Sequence, residues 1–432
     1  MKRLFVVLTA VMLAAIAMSA AAQISIVIDE GNRDATPIAI VPFARQGDGM
    51  PPDDLAEIVD SDLARSGQFQ PMARTDMLSR PSTESEVFFR DWNATNAQYL
   101  LIGRQSMNGP QLRVDYELFD VTKQRKVFSG YEAGAVSDAR MLAHRLADEI
   151  YEHITGVPGA FATKLLYISA TRVPGANEYS RLTMSDSDGA RPIVLLETRE
   201  PLLAPTWSPD AKEIAYVSFE TGRPAIYRQE LATGRRQQLT NFKGLNGAPA
   251  WSPDGRTMAM TLSKDGNPDI YLMDLATKQL TQITNHYAID TEPTWMPDGQ
   301  SILFTSDRGG KPQIYSYNLR SGKTDRVTYE GSYNARARVS QDGRSVVMVH
   351  QQDGRFHIAV LDLTTKRLHI LTSTELDESP SIAPNGTMVL YATKYAERGI
   401  LAAVAVEGDA KFRLPAREGD VREPAWSPYI SR

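Results

Sequence analysis

The strongest constraint in this chain is a heptapeptide that returns at a fixed interval. It reads PTWSPDA from Pro205, PAWSPDG from Pro249, PTWMPDG from Pro293, ARVSQDG from Ala337, PSIAPNG from Pro380 and PAWSPYI from Pro424. The central residues are Trp207, Trp251, Trp295, Val339, Ile382 and Trp426, spaced 44, 44, 44, 43 and 44 residues apart. A second series, Ile226-Tyr227, Ile270-Tyr271, Ile314-Tyr315 and Ile358-Ala359, keeps the same beat. Catalytic motifs are rarely copied at a fixed interval, whereas a stacked structural unit has to be.

Each unit reads as four short strands. Ser-Pro-Asp-Gly suits a type I turn, because Pro sets φ at the second position and Gly closes the fourth. Alternating runs follow it, such as Glu213–Ser218, Thr257–Leu262 and Ser301–Ser306. Polar turns then lead to a third strand (Asp269–Asp274) and a fourth (Leu280–Thr284). A four-stranded antiparallel meander every 40–45 residues is the blade of a β-propeller. A two-sheet sandwich has no reason to keep such a beat.

The blade count follows from the two ends of the repeat. Lys164–Ser169 is a second strand with no Trp-bearing strand before it, and the strand around Trp426 has no successor. The interval Lys164–Ser427 is 264 residues, six times 44. The expected fold class is therefore an α/β N-terminal domain followed by a six-bladed all-β propeller whose C-terminal strand closes the first blade.

Residues 23–155 lack the beat. Pro37–Phe43 and Gln98–Arg104 read as strands, and Gln111–Asp120 with Arg125–Gly130 as a hairpin. Leu55, Ile58, Val59 and Leu63 share one helix face. A second helix is expected from a cap at Ser137 to Ile154, with Gly156 as its stop. The expected division is 1–22 leader, 23–155 α/β domain, 156–162 linker and 163–432 propeller.

The leader reading rests on Lys2 and Arg3, an apolar run from Leu4 to Met18, and small residues ending at Ala22, before Gln23. That run is shorter than the roughly 20 apolar residues a membrane span needs, so cleavage between Ala22 and Gln23 is expected. The chain has no cysteine, which suits an oxidising compartment and removes thiol chemistry. Its formal charge of −5, or −7 once Lys2 and Arg3 leave, argues against nucleic acid as a partner.

No catalytic or metal motif is present. G-x-S-x-G, H-E-x-x-H, the P-loop and G-x-G-x-x-G are all absent from the sequence. Of six scattered histidines only His286, on an inter-blade loop, is worth following, and a loop residue is the simpler reading. Asp186-x-Asp188-Gly189 reads as a hairpin turn rather than a calcium loop, and Asp254, Asp298 and Asp342 as turn residues. No catalytic residue, metal site or cofactor is expected. The informative segments precede each Trp-bearing strand: Glu200–Ala204, Leu245–Ala248, Ile289–Glu292, Tyr333–Arg336, Leu376–Ser379 and Asp420–Glu423. In a propeller they ring one mouth of the central channel and form a docking site of mixed charge and hydrophobicity.

At the mature N-terminus, Ile24, Ile26 and Ile28 alternate with Gln23, Ser25 and Val27 before Asp29-Glu30-Gly31. That pattern is a strand, either one within its own domain or an edge-type strand at a free end suited to adding onto a partner's sheet.

The leader, the IVIDEG segment, the small α/β domain and the six blades together resemble the TolB family of the Tol–Pal system. So do NGAPAWSPDG, DTEPTWMPDG, LDESPSIAPNGTMV and the terminal EPAWSPY. The resemblance implies a monomeric, non-enzymatic adaptor of the periplasm that maintains outer-membrane integrity and constriction at division. It implies that the mouth binds the peptidoglycan-associated lipoprotein, through Leu203, Leu245, Asn246, Ala248, Thr291, Glu292, Asn334 and Glu378. It implies that Gln23, Ile24, Ile26, Ile28 and Asp29 belong to a segment that binds TolA, and that colicins can exploit the same protein. The other classes are the propeller of a peptidase and a sugar-binding propeller. The first needs a hydrolase domain and the second an aromatic platform, and Tyr333 is the one aromatic residue in the six segments.

Overall fold

The computed structural model describes residues 27–30, 35–47, 49–172, 178–374, 376–407, 410–414 and 419–430. Ala22, Gln23, Ile24 and Ile26 lie outside them.

Six antiparallel sheets make up the propeller. Blade 2 contains strands Leu202–Trp207, Glu213–Ser218, Ala225–Glu230 and Arg236–Gln238, and blades 3 to 5 repeat this order. Blade 6 starts at Glu378–Ile382. Blade 1 takes its innermost strand from the far end of the chain, where Asp420–Trp426 pairs with Lys164–Arg172. Ser427 N–H donates to Lys164 O at 2.9 Å, and Lys164 N–H donates to Ser427 Oγ at 3.0 Å.

The repeated turns behave as their residues dictate. Ser208, Ser252 and Ser340 each donate a hydroxyl to the aspartate two residues on, at 2.6–2.7 Å, and accept the N–H five residues on at 2.9 Å. Asp254, Asp298 and Asp342 each accept the N–H two residues later, so all three are consumed by their turns. The tryptophans wedge between blades. Trp207 packs among blade 1 and blade 2 residues and donates Nε1–H to Ala425 O, and Trp295 donates to Ala250 O.

The N-terminal domain is a mixed sheet. Thr36–Ile40 lies between Phe69–Pro71 and Tyr99–Asn108 in parallel, and Gln111–Asp120 and Arg125–Ala135 extend it antiparallel. Helices Leu55–Arg65 and Ala139–Thr155 cover one face, burying Leu55, Val59, Leu63, Leu142, Leu146 and Ile150. Trp92 and Phe119 pack on the other face. The long helix stops at Gly156, whose φ of 75° is the left-handed cap expected there. Ser137 is not its cap. It sits in a 3₁₀ turn, and the cap position is Asp138, with no side-chain bond.

Residues 156–162 are not a loose tether. Asp148 accepts the N–H groups of Phe161 (2.6 Å) and Ala162 (3.1 Å), Phe161 packs edge-on against Tyr151, and Asn385 of blade 6 donates to Pro158 O. These bonds seat the N-terminal domain on blades 1 and 6 at the face that carries the Ser-Pro-Asp-Gly turns.

Candidate partner-binding site

Each innermost strand carries a register shift just before its Trp position. At each shift one non-glycine residue takes a positive φ: Ala204 (48°), Ala248 (47°), Glu292 (54°), Arg336 (56°), Ser379 (54°) and Glu423 (53°). These are the last residues of the six segments singled out in the sequence. Left-handed conformation is uncommon outside glycine and costs roughly 1–2 kcal/mol per residue. Six such outliers at equivalent places mark a shared device: the bulge turns one side chain per blade toward the axis.

The ring is asymmetric. Arg336 bridges four blades: its Nε–H donates to Glu292 Oε1 at 2.7 Å, and Nη1 donates to Glu423 Oε1 at 3.1 Å and to Ser379 Oγ. Its backbone N–H also donates to Glu292 Oε2 at 3.1 Å. Burial works against the guanidinium charge, but Glu423 and Glu292 outweigh it and hold the pKa above its ordinary value. Across the channel, blades 2 and 3 contribute only the methyl groups of Ala204 and Ala248. A cavity of about 460 Å³ opens there, lined on that side by Leu203, Val217, Phe219, Pro224 and Leu245. The mouth is thus apolar on one flank and ionic on the other. Around it the inter-blade loops expose Leu245, Tyr287, Ile289, Tyr329 and Leu376.

The structure brings Leu203, Leu245, Asn246, Ala248, Thr291 and Glu292 to this cavity. Asn246 lines it, but its amide is spent on its own loop, donating to Phe242 O at 2.8 Å. Asn334 does not face the cavity. It is fully buried, donates to Gln313 Oε1 and Glu330 O, and meets His350 Nδ1 at 2.8 Å. Glu378 is exposed at the rim, at the position equivalent to Leu203 and Thr291. Asn334 was carried over by position from the resemblance, whereas strand register makes that position a buried clasp. Arg336, Ser379 and Glu423 were missed as individual residues. The signal was the place directly before the Pro of the heptapeptide, where backbone and side chain must turn together.

The remaining candidates resolve individually. His286 braces its loop, accepting Ala288 N–H at Nδ1 (3.1 Å) and lying tilted against the Tyr287 ring. Asp186 and Asp188 lie in the turn expected, where they join a buried charge cluster. With His144 they present ligand-type atoms within 4.8 Å of one another. Those carboxylates are already answered by Lys164 at 2.5 Å, by Arg191 at 2.8 Å and by Arg140. The N-terminal strand Val27–Glu30, which carries Ile28 and Asp29, is not an edge of its own domain. It pairs antiparallel with Lys411–Arg413 and becomes a fifth strand on blade 6. Sequence alternation specifies a strand but not which open sheet edge receives it.

Comparison with known proteins agrees with this architecture. The family described as "TolB beta propeller domain" matches residues 151–430, and the "TolB amino-terminal domain" family matches residues 24–127. The chain is 58% identical over 433 residues to the Tol-Pal system protein TolB of Pseudomonas syringae pv. tomato, covering 100% of both chains. It is 54% identical to that of Pseudomonas aeruginosa, covering 97% of this chain and 98% of the other. The crystal structure of TolB from Acinetobacter baumannii superposes with a TM-score of 0.88 at 42% identity, covering 94% of this chain and 100% of that one.

Proposed function

This chain belongs to the TolB family, the non-enzymatic β-propeller component of the Tol–Pal system, and from that membership we propose that it is a periplasmic adaptor between two envelope proteins. In this reading residues 1–22 are removed on export. The mouth takes the peptidoglycan-associated lipoprotein, and the mature N-terminal segment takes TolA. The pair of contacts maintains the outer membrane and its constriction at division.

The ring of six left-handed residues supports a docking mouth. Backbone strain of this kind persists only where the surrounding structure over-determines it, and it gathers at binding sites. The apolar flank at Leu203 and Leu245 would take an apolar anchor, and the Glu292–Arg336 flank would set its orientation. The strand Val27–Glu30 supports a regulated second contact. A strand that is hydrogen-bonded to Lys411–Arg413 cannot at the same time add to another protein's sheet. Release from blade 6 must therefore precede capture.

Calorimetric titration of residues 23–432 with the soluble domain of the lipoprotein tests the mouth. Saturable one-to-one binding, abolished by Glu292→Arg and weakened by the rim variant Leu245→Glu, is the expected result. Absence of binding by folded wild-type protein overturns the assignment. Equal TolA affinity with and without the lipoprotein refutes the coupling between the two sites.

A further inference from the structure

Below the Glu292–Arg336–Glu423 ring the channel has a second tier of different character. The residues that directly precede each Trp position are Thr206, Ala250, Thr294, Arg338, Ser381 and Ala425. All six line the central cavity and occupy equivalent registers, opposite Ala215, Ala259, Leu303, Val347, Leu390 and Leu166. The tier holds one cation, three hydroxyls, two methyls and no carboxylate.

Arg338 is the unusual member. Its guanidinium donates one bond, Nη1–H to Ala337 O at 2.8 Å, and among the described residues it has no carboxylate within ion-pairing distance. An arginine is charged at every physiological pH; Arg338 is only partly withdrawn from solvent, and Glu292 and Glu423 act on it from the tier above without bonding it. Arg336, one tier up, is bonded to two glutamates, so the channel contains one arginine that pairs directly with carboxylates and one that does not. Thr294 and Ser381 stand on the blades either side of Arg338 and Thr206 on the blade across the channel, and each has a hydroxyl proton to give. Thr206 and Thr294 make no side-chain hydrogen bond among the described residues. Ser381 Oγ accepts Trp426 N–H at 2.8 Å, which leaves its own proton to give. A planar fork of N–H donors and a set of O–H donors around one cavity can hold an oxyanion.

We infer that the deep tier of the channel, built on Arg338 with Thr206, Thr294 and Ser381, is a binding site for a small oxyanion such as phosphate, or for a carboxylate of the same shape. The site lies in the same cavity as the apolar mouth, one residue layer further along the innermost strands.

The test uses the purified full chain after export. Thermal unfolding is followed while inorganic phosphate replaces chloride at constant ionic strength, for wild type, Arg338→Gln and Arg338→Lys. A ligand that binds only the folded state raises Tm with its concentration. Wild type is expected to show a saturable rise, Arg338→Gln to lose it, and Arg338→Lys to keep a weaker one because the charge remains without the fork. The same rise in wild type and Arg338→Gln, or no saturable rise in wild type, overturns the site. A parallel titration with N-acetylglutamate amide separates the sources. A response to phosphate alone identifies a free anion as the occupant, and a response to both identifies the oxyanion group itself, so that an acidic side chain also fits. If Arg338→Gln does not fold, phosphorus-31 line broadening with wild type and Arg338→Lys decides the matter: no broadening with wild type, or equal broadening with both, refutes the site.

Discussion

His144 on the long helix places Nδ1 2.6 Å from Asp62 Oδ2 on the neighbouring helix, with both side chains removed from solvent. The pair reaches further in both directions. Asp62 also binds Arg65, and His144 Nε2 lies 4.0 Å from Asp186 of blade 1. Burial opposes a charge on the imidazole most strongly, but Asp62, Asp188 and Asp186 together reverse it, and the pKa stands above the ordinary histidine value. A raised folded-state pKa contributes stability that is complete below the unfolded value and is lost as pH rises through the folded one. The protein is therefore expected to be less stable on the alkaline side of the histidine range. His144→Gln should remove that part of the dependence, as read from Tm against pH.

Asp148, one turn along the same helix, gives a second pH dependence of the same sign. Burial raises its pKa to about 7, against the smaller opposing effect of the Phe161 and Ala162 N–H groups. The folded state holds this proton more tightly than the unfolded state does. Stability then falls by about 1.4 kcal/mol per pH unit between the two pKa values. Asp148→Asn should flatten the profile between pH 5 and about 7 and raise stability at alkaline pH relative to wild type. An unchanged slope by chemical denaturation refutes this.

Gly67 follows the helix Leu55–Arg65 with φ of 70°, and a Cβ built on it would overlap that of Ala410 in blade 6. Gly67→Ala is expected to cost about 1–2 kcal/mol in backbone strain alone, with the steric conflict in addition. Ala410 directly precedes Lys411–Arg413, the strand that holds Val27–Glu30. Amide exchange in residues 27–30 should therefore rise in this variant beyond what its global stability explains.

Arg336→Met removes the hub of the mouth and leaves Glu292 and Glu423 with no cation bonded to them. Breaking a largely buried pair in this one-sided way costs about 3–5 kcal/mol. The triple change that also replaces Glu292 and Glu423 by glutamine should recover much of that loss. Urea midpoints of the two variants measure it, and equal midpoints would show that the clamp contributes little.

Truncation after Asp420 deletes the strand that closes blade 1. With it go the Trp426 Nε1–H bond to Thr163 Oγ1 (2.8 Å) and the Ala425 O that receives Trp207. An opened ring exposes two sheet edges and is expected to aggregate. Gel filtration with thermal unfolding checks this, and an intact monomer of unchanged Tm would mean that closure is dispensable.

The repeat was legible because each blade buries its own set of side chains at a fixed distance along the chain. The Ser-Pro-Asp-Gly turn, the Trp three residues before its Asp, and the orphan strands at Lys164 and Trp426 each have a local cause. They therefore survive in a single sequence. The mouth was legible as six segments, and its outer members Leu203, Thr291 and Glu292 stand where the segments put them. Asn334, carried over by position from the resemblance, is buried opposite His350, a placement that only the strand register decides.

What the sequence by itself determined was everything that repeats or alternates: six blades, their turns, the closing strand, the α/β character of the front domain and a strand at its beginning. Pattern is enough there, because period and turn chemistry act over a few residues. The tertiary structure alone decided which groups of distant origin meet. It set Glu292, Arg336 and Glu423 in one clamp, left Arg338 without a directly bonded carboxylate, joined Asp62 and His144 to Asp186 across the domain junction, and laid Val27–Glu30 on blade 6. Electrostatic pairing and edge pairing depend on distance in space, and residues 44 or 384 positions apart carry no mutual signature until the ring has closed.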